Sequence, residues 1–526
     1  MTHAWKLCLP ALCCLILAGS VPAASQEARA LFEMSRSSEQ VPTELDRIVR
    51  ADLERADISP APMCSDAVFI RRTYLDVIGM PPRPEETEAF LASQDPEKRN
   101  QVIDALLGRP EFTDYWAMKW CDALRVKAEF PINLWPNAAQ AYHEWVRAAV
   151  MTNMPYDEFA RALLTASGSS FKVPPVNFFR AVENRSPEGL AGAVALTFMG
   201  TRIASWPEPT RQAMASFFAR LSYKPTAEWK EEILIQNPEK QEGFSAVFPD
   251  GTPVDIPPGM DPRAVFANWL TDPKNPWFAR AAVNRVWFWL MGRGIVHEAD
   301  DLRPDNPPVN PELLSFLERE FTASGYDLRH LYRVILRSAT YQQSSIPADN
   351  HPEAEARFAH YAARRLDAEV LADMLDGLLG FGEDYMSAVP EPFTYIPKYR
   401  SAVSLADGSV TSPFLELFGR PSRDTGLLSE RNNEPTDAQR LHLLNSSTLR
   451  RRIASAPLFG RVGAASGGKP ARAVRAVYLE ILCRHPAQEE LDTVLAYAGE
   501  SGLTRRQALE DLVWALVNTK EFLYRH

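Results

Sequence analysis

One stretch of this chain carries most of the side chains whose types and spacing could perform chemistry. Residues 414–445 combine charged side chains of balanced sign with apolar residues between them. Arginines bind carboxylate or phosphate anions through paired hydrogen bonds, and a carboxylate with a nearby imidazole can transfer protons. The residues concerned are Arg420, Arg423, Arg431 and Arg440, which are matched in number by Asp424, Glu430, Glu434 and Asp437.

Two interpretations of this segment are open. In the functional one, Glu434 and His442 transfer protons while arginines hold an anion. In the structural one, the same charges form a salt-bridge network that fixes a long loop to the core, and we favour this interpretation because such networks order residues without catalysis. The binding set of the functional interpretation is Arg420, Arg423, Asp424, Glu430, Arg431, Gln439 and Asn445.

A helix is predicted to begin inside this segment. Thr436 and Gln439 have the spacing of a capping box, and the apolar residues after them predict a helix that runs through Leu449. Glu434 precedes this helix at the positive end of its dipole, where a carboxylate is kept ionised. The polar face of the helix is formed by Gln439, His442 and Asn445.

The elements that must position these residues are mainly helices. Apolar spacing typical of helices occurs at residues 366–379 and 509–517, and Asn310 before Pro311 marks another helix start. Strand patterns are confined to residues 232–256, where turn residues separate them. We therefore predict a mainly α protein, with a helical domain at residues 40–225, a short β-containing linker or hairpin at 226–261, and a second helical domain at 262–526.

Aromatic residues offer a second kind of site, because their rings can stack on sugars. Trp116 and Trp120 are four residues apart, and Tyr142 and Trp145 are three apart. Each pair therefore lies on one face of a helix, which favours core packing over ligand stacking.

One acidic loop has some of the spacing of a calcium site. Asp301, Asp305 and Glu312 match the first, fifth and twelfth places of an EF-hand loop. Arg303 takes the third place, however, and Asn306 replaces the turn glycine. We expect no metal site there.

The N-terminus has the order of a cleaved secretory signal. Lys6 is followed by the apolar run 7–17 and then by small residues that end at Ala23-Ala24. This run is shorter than the roughly 20 apolar residues of a spanning helix. We therefore expect residues 1–24 to be removed, leaving a periplasmic or extracellular protein without a transmembrane anchor.

The mature chain is acidic, which disfavours nucleic acid as a partner. Loss of Lys6 leaves 56 of the 57 Lys plus Arg residues against 67 Asp plus Glu, so the mature net charge is near −11. A nonspecific duplex binder needs a cationic surface, and the chain has no basic run to supply one.

Longer motifs in both halves resemble two known families. The first half resembles the planctomycete-type cytochrome-associated domain, PSCyt-two, at residues 69–76 and 79–82 and at Trp116, Trp120 and Asp122. The second half resembles the usual C-terminal partner of that domain, PSD-one, at residues 275–287, 326–341 and 414–445. Both are domains of unknown function, so the resemblance implies an order of domains and no activity.

The chain departs from these relatives where they commonly carry a C-x-x-C-H segment before an aromatic-rich helix. The helix is kept at residues 213–220, but residues 200–207 contain neither cysteine nor histidine. Covalent haem needs two thiols and an axial imidazole, so we expect no haem cofactor. The cysteines of the mature chain, Cys64, Cys121 and Cys483, are too few for a disulfide framework, and one bridge among them is an open alternative.

These features predict an exported cell-envelope protein whose role is noncatalytic binding or assembly. Its expected partner is another envelope protein or a polysaccharide. One alternative is a hydrolase-like enzyme that acts on an envelope or extracellular substrate through Glu434, His442 and the arginines. A second alternative is a docking partner for a separate cytochrome.

Overall fold

The computed structural model describes residues 42–500 and 502–526, without the side chain of Glu500. Helices dominate and strands are short, so the predicted mainly α class is confirmed. The predicted signal at residues 1–24 lies outside the described residues. In the part of the chain that is described, no helix combines the length and the apolar character needed to cross a membrane.

The first half is built from short helices that follow one another closely. Several begin with proline at the first helical position, where its missing N–H has no intrahelical partner to lose. The helices are α1 Glu44–Arg55, α2 Asp66–Val77, α3 Pro84–Ala92, α4 Lys98–Leu107, α5 Pro110–Ala123, α6 Pro136–Met151, α7 Tyr156–Thr165, α8 Asn177–Arg180, α9 Pro187–Val194 and α10 Glu208–Ser216.

Small antiparallel sheets occupy the middle of the chain. Their strands are β1 Gly168–Ser169, β2 Leu221–Pro225, β3 Glu232–Gln236, β4 Phe244–Val247 and β5 Pro253–Ile256. One sheet has the order β1-β3-β2, and β4 pairs with β5 as a separate hairpin. Because β1 comes from the first half, this sheet ties residues of the predicted linker to the helices before it. β3, β4 and β5 lie within residues 232–256, where strands are predicted. The prediction that strands are confined to that range is wrong, because β1 and β2 lie before it and a further strand pair forms in the second half of the chain, where strands of two residues carry no alternating pattern.

The second half is again helical and ends in a strand pair, β6 Arg364–Arg365 with β7 Tyr524–Arg525. That pairing brings the last residues of the chain to the start of the helix that follows β6. The helices are α11 Pro262–Leu270, α12 Phe278–Met291, α13 Pro311–Ala323, α14 Leu328–Leu336, α15 Ala368–Leu379, α16 Pro413–Leu417, α17 Asp437–Asn445, α18 Ser447–Ala454, α19 Leu458–Ser466, α20 Pro470–Leu482, α21 Gln488–Glu500, α22 Arg505–Val517 and α23 Lys520–Leu523.

The two halves share one apolar core. The ring of Trp116 on α5 lies 4.2 Å from that of Tyr332 on α14, measured between centroids, and 5.7 Å from that of Trp289 on α12. Trp116, Trp120 and Tyr142 are all buried, as their helical spacing predicts. The core therefore fixes α5 against the second half, which matters for the site described below.

Sequence signals for helix ends succeed at most of the predicted places. The Asn310 side chain accepts a hydrogen bond from the Leu313 N–H, and Thr436 and Gln439 form the expected capping box. The predicted continuation of that helix through Leu449 is wrong. Ser446 has an extended backbone and caps a new helix, α18, by accepting a hydrogen bond from the Leu449 N–H, so α17 ends at Asn445.

Candidate functional site

Asp122 on α5 receives two arginines from the other half of the chain. Arg431 donates from Nη2 to Asp122 Oδ2 at 2.7 Å, and Arg423 donates from Nε to Asp122 Oδ1 at 2.8 Å. Arg431 also donates from Nη1 to Oε2 of Glu369, on α15, at 2.6 Å. Both oxygens of Asp122 and both sides of the Arg431 guanidinium are therefore used inside the protein, in the paired geometry that makes such contacts strong.

Asp367, just before α15, forms the second centre of the site. Its Oδ2 accepts from Lys119 Nζ at 2.8 Å and from Arg525 Nη2 at 2.7 Å. Its Oδ1 accepts from the side-chain amide of Asn433 at 2.9 Å. Lys119 is one helical turn before Asp122 on α5, so both centres rest on the same face of that helix.

Asp76 on α2 adds a second helix of the first half to the site. Its carboxylate pairs with Arg364 at 3.0 Å and with Arg525 at 3.3 Å. It also accepts hydrogen bonds from the hydroxyls of Tyr341 and Tyr361, at 2.9 and 2.8 Å. Every strong acceptor site on this buried carboxylate therefore has a donor.

These contacts form one continuous cluster, which we call the ion-pair network. It contains more cations than carboxylates, and most of its side chains are nearly inaccessible to solvent. Its members are the cations Lys119, Arg364, Arg420, Arg423, Arg431 and Arg525 and the carboxylates Asp76, Asp122, Asp367 and Glu369.

The excess of positive charge sets the protonation of the network. Burial would raise the pKa of Asp367, but Lys119, Arg525 and Arg431 outweigh burial and hold that pKa well below its usual range. Burial also opposes ionisation of Glu369, yet Arg431 and Arg420 lower its pKa to about 2. Burial lowers the pKa of Lys119 to about 8, because the attraction of Asp367 is offset by Arg431 and Arg525. Asp367 and Glu369 are thus held charged, whereas burial weakens the charged form of Lys119.

The loop between α16 and α17 is positioned by its backbone as well as by its charges. Arg365 on β6 donates to the carbonyl oxygens of Phe418, Asn432 and Asn433, at 2.7, 3.0 and 3.1 Å. Gly419 in this loop has φ +82°, and a Cβ at this position would lie 1.8 Å from the Asn432 carbonyl oxygen. Glycine is therefore required for the close approach that carries Arg420, Arg423 and Arg431 inward.

The structure brings together the arginines of the predicted site but leaves its proposed proton-transfer pair outside. Glu434 and His442 are exposed. The Glu434 backbone N–H donates to the Asn432 side chain, and the His442 ring lies beside Phe414 and Phe418, with centroids 5.9 and 6.1 Å away. Neither side chain belongs to the ion-pair network.

The other residues of the predicted binding set have separate structural positions. Asp424 pairs with Lys127, in the loop after α5, at 2.7 Å, and Glu430 accepts from the backbone of Asp424 and Thr425. The remaining two are on α17. Gln439 is buried and donates from Nε2 to the Leu417 carbonyl at 2.9 Å, whereas Asn445 is exposed at the helix end.

Sequence reasoning did not identify the acids that face these arginines. Asp122 is noted above only within a family motif. Asp367 and Glu369 lie beside the apolar stripe of α15, and charged residues next to such a stripe are the signal that could have identified them. Asp76 likewise occurs only within the motif at residues 69–76, and the other members not identified are Lys119, Arg364 and Arg525.

Residues 200–207 lack the side chains that covalent attachment of a haem requires. They offer no thiol and no imidazole. Cys64, Cys121 and Cys483 are buried free thiols, so the alternative of a disulfide among them is wrong. Burial raises the pKa of Cys121 and of Cys483 to about 12, which keeps these thiols protonated and unreactive.

In the acidic loop that resembles part of a calcium site, an arginine of the same loop pairs with the carboxylates. Arg303 pairs with Asp301 at 3.0 Å and with Asp305 at 3.5 Å, and Glu312 lies near Arg55 at 3.5 Å. Across residues 42–500 and 502–526, no three His, Cys, Asp or Glu side chains are grouped so that they could hold a metal ion.

Comparison with known families agrees with the order of the two halves. Residues 44–232 match PSCyt2, described as a protein of unknown function (DUF1549), and residues 262–498 match PSD1, described as a protein of unknown function (DUF1553). No curated protein and no solved structure matches this chain. Asp76, Lys119 and Asp122 lie in the first matched region, and most of their partners lie in the second. The chain thus belongs to the proteins in which a PSCyt2 domain is followed by a PSD1 domain.

Proposed function

We propose that this protein is an exported, noncatalytic binding or assembly component of the cell envelope. The observation that carries the proposal is the commitment of Arg420, Arg423 and Arg431 to carboxylates of the protein itself. An anion-binding active site needs arginines that face a cleft, whereas these face Asp122 and Glu369. The segment with the greatest apparent capacity for chemistry therefore acts as a clamp between the PSCyt2 and PSD1 regions.

A clamp of this kind suits a protein that binds its partners on its surface rather than in an open pocket. Removing one partner of a buried ion pair is strongly destabilising, because the other charge stays buried without compensation. Asp122 on α5 holds Arg423 and Arg431 from the loop between α16 and α17. Asp367 holds Lys119 from α5 and Arg525 from β7. Moving the two regions apart would break these buried ion pairs, which is energetically costly. Their relative position is therefore fixed, as we expect for an assembly component.

Location is tested by fractionating cells that produce the full chain and sequencing the N-terminus of the recovered protein. We expect the protein in the periplasmic or extracellular fraction, cleaved after Ala23 or Ala24. Recovery of an uncleaved chain from the cytoplasm would overturn this part of the proposal.

The noncatalytic role is tested with Glu434→Gln and His442→Ala. Both side chains are exposed, so we expect the variants to unfold like the wild type and the wild type to show no turnover on panels of glycans and esters. Turnover by the wild type that both variants lose, with unfolding unchanged, would instead establish the hydrolase alternative. A Soret band in the purified protein would favour the association with a cytochrome.

A further inference from the structure

The PSD1 region contains a long stretch without acidic residues. No Asp or Glu occurs between Asp437 and Glu480, although the whole chain has a net charge of −10. The basic residues of this stretch are Arg440, Arg450, Arg451, Arg452, Arg461, Lys469, Arg472 and Arg475. Such a local reversal of charge is an electrostatic feature that attracts anions.

Some of these cations are already paired. Arg452 lies 2.5 Å from Asp376, and Arg461 lies 2.9 Å from Glu480. Arg440 has a weak, exposed contact with Asp437 at 3.4 Å. These residues are therefore not the ones offered to a partner.

Two further cations lie on α18, where Arg450 packs over the Trp514 ring and Arg451 donates to the Thr448 hydroxyl. The remaining cations of the stretch gather where α20 begins. Lys469, Arg472 and Arg475 are exposed and follow one another at steps of three residues, which spans about 9 Å along a helix axis. Arg505, at the start of α22, donates from Nη1 to the Gly468 carbonyl at 3.2 Å and so joins them. Within the described residues these four side chains, which we call the basic surface, have no carboxylate partner within 4 Å.

Among the acids whose side chains the structure describes, those nearest to the basic surface along the chain are paired with other arginines. Glu480 is held by Arg461, and Glu510 is held by Arg506 at 2.6 Å. Lysine and arginine are both charged at neutral pH. Folding thus creates a cationic surface although the chain has no long basic run.

We propose that the basic surface binds an acidic polysaccharide, a class of partner that deepens the proposed function and rests on it. Regularly spaced carboxylates along a sugar chain complement cations at regular steps on one helix, and each contact releases counterions. A membrane partner fits less well. In the described part of the chain, the large apolar side chains that are strongly exposed all lie at or before Leu441, so the basic surface lacks the apolar anchors of a membrane-binding helix.

The experiment measures retardation of the full chain by polygalacturonate in native gels, with neutral dextran as the uncharged control. The variant Lys469→Glu, Arg472→Glu, Arg475→Glu reverses the charge of the basic surface. The variant Lys172→Glu, Lys274→Glu, Arg319→Glu changes the net charge equally at exposed positions elsewhere. Arg472→Lys with Arg475→Lys keeps the charge in place.

We expect the first variant to bind polygalacturonate at least about tenfold more weakly than wild type, and the other two to bind within about twofold. Wild-type binding should also weaken as salt is raised. If the triple variant fails to fold, Arg472→Gln with Arg475→Gln replaces it, with a smaller loss expected.

Equal losses in both triple variants would overturn the proposal, because net charge alone would then explain binding. Binding to phosphatidylglycerol vesicles or duplex DNA, in place of polygalacturonate, would also overturn it. These outcomes are distinct from failure of the proposed function, which is decided by location and turnover. An envelope protein without turnover that ignores polygalacturonate keeps its function and loses only this ligand.

Discussion

Two sets of basic residues in the second half of the chain differ in burial, and burial determines whether their charge is available to a ligand. Arg420, Arg423 and Arg431 are drawn into the interior and meet Asp122 and Glu369. The basic surface is exposed to solvent and meets no carboxylate among the side chains that the structure describes. A buried charge must be paired by the protein itself, whereas an exposed one is paired well enough by solvent and remains available to a ligand. The segment richest in charge is therefore the poorer candidate for binding.

Among the variants that test this comparison, Arg431→Ala should cause the largest loss of stability. Loss of this side chain leaves Asp122 and Glu369 with reduced compensation in the interior, so we expect the free energy of unfolding to fall by about 3–5 kcal/mol. Urea denaturation of the variant and the wild type measures the change. The matched control is Arg440→Ala, an exposed arginine for which we expect a change within about 0.5 kcal/mol. Similar small losses in both variants would show that Arg431 is not a buried ion-pair partner.

Gly419→Ala tests the backbone that carries the buried set inward. A Cβ would overlap the Asn432 carbonyl at a position with φ +82°, so we expect a loss of about 1–3 kcal/mol in unfolding free energy. Gly463→Ala is the control, because Gly463 lies in α19 with nothing within 4 Å of an added Cβ. That control should gain up to about 1 kcal/mol from helix propensity. A stabilised Gly419→Ala would contradict the close approach.

Lys119→Met tests the excess of cations in the network. Because six cations face four carboxylates, this lysine is the member most easily spared, and we expect a smaller loss at pH 7 than for Arg431→Ala, about 1 kcal/mol. The depressed Lys119 pKa means that the unfolded chain holds more protons than the native protein between pH 8 and 10.5. Stability contributed by this group therefore rises with pH across that window, by at most about 1.4 kcal/mol per pH unit.

The measurement is the difference in unfolding free energy between the wild type and Lys119→Met from pH 7 to pH 10. Subtracting the variant removes the titration of tyrosines and other lysines. We expect the difference to move in favour of the wild type as the pH rises. Movement in favour of the variant would mean that Lys119 is held charged by Asp367.

The sequence predicts the local parts of this structure well. Helix starts at Asn310 and Thr436 depend on residues three positions away, and strands at residues 232–256 depend on short alternating patterns. The α17 prediction failed at Ser446 because a cap for a new helix looks like an ordinary polar position in a continuous one. Local rules thus locate elements and miss breaks between them.

The sequence located one segment of the ion-pair network but not the partners of its arginines. The density of charge at residues 414–445 correctly indicated a salt-bridge cluster, but Arg423 and Asp122 are 301 residues apart. No periodicity connects such residues, because their meeting depends on the core packing of α5 against the second half. The basic surface was missed for a different reason, because Lys469, Arg472 and Arg475 are separated by uncharged residues and do not form a basic run. Only Arg505 joins them through the fold, at Gly468, 37 residues away.

Arg472→Ala combined with Arg475→Ala should have the smallest effect on stability. Both side chains are exposed and have no carboxylate partner among the described residues, so we expect unfolding free energy to change by no more than about 0.5 kcal/mol. Alanine has the higher helix propensity, which favours a slight gain in α20. Polygalacturonate binding should weaken in the same protein. A clear loss of stability would show that these arginines hold the fold, as the buried set does, and would remove the reason to treat them as offered to a ligand.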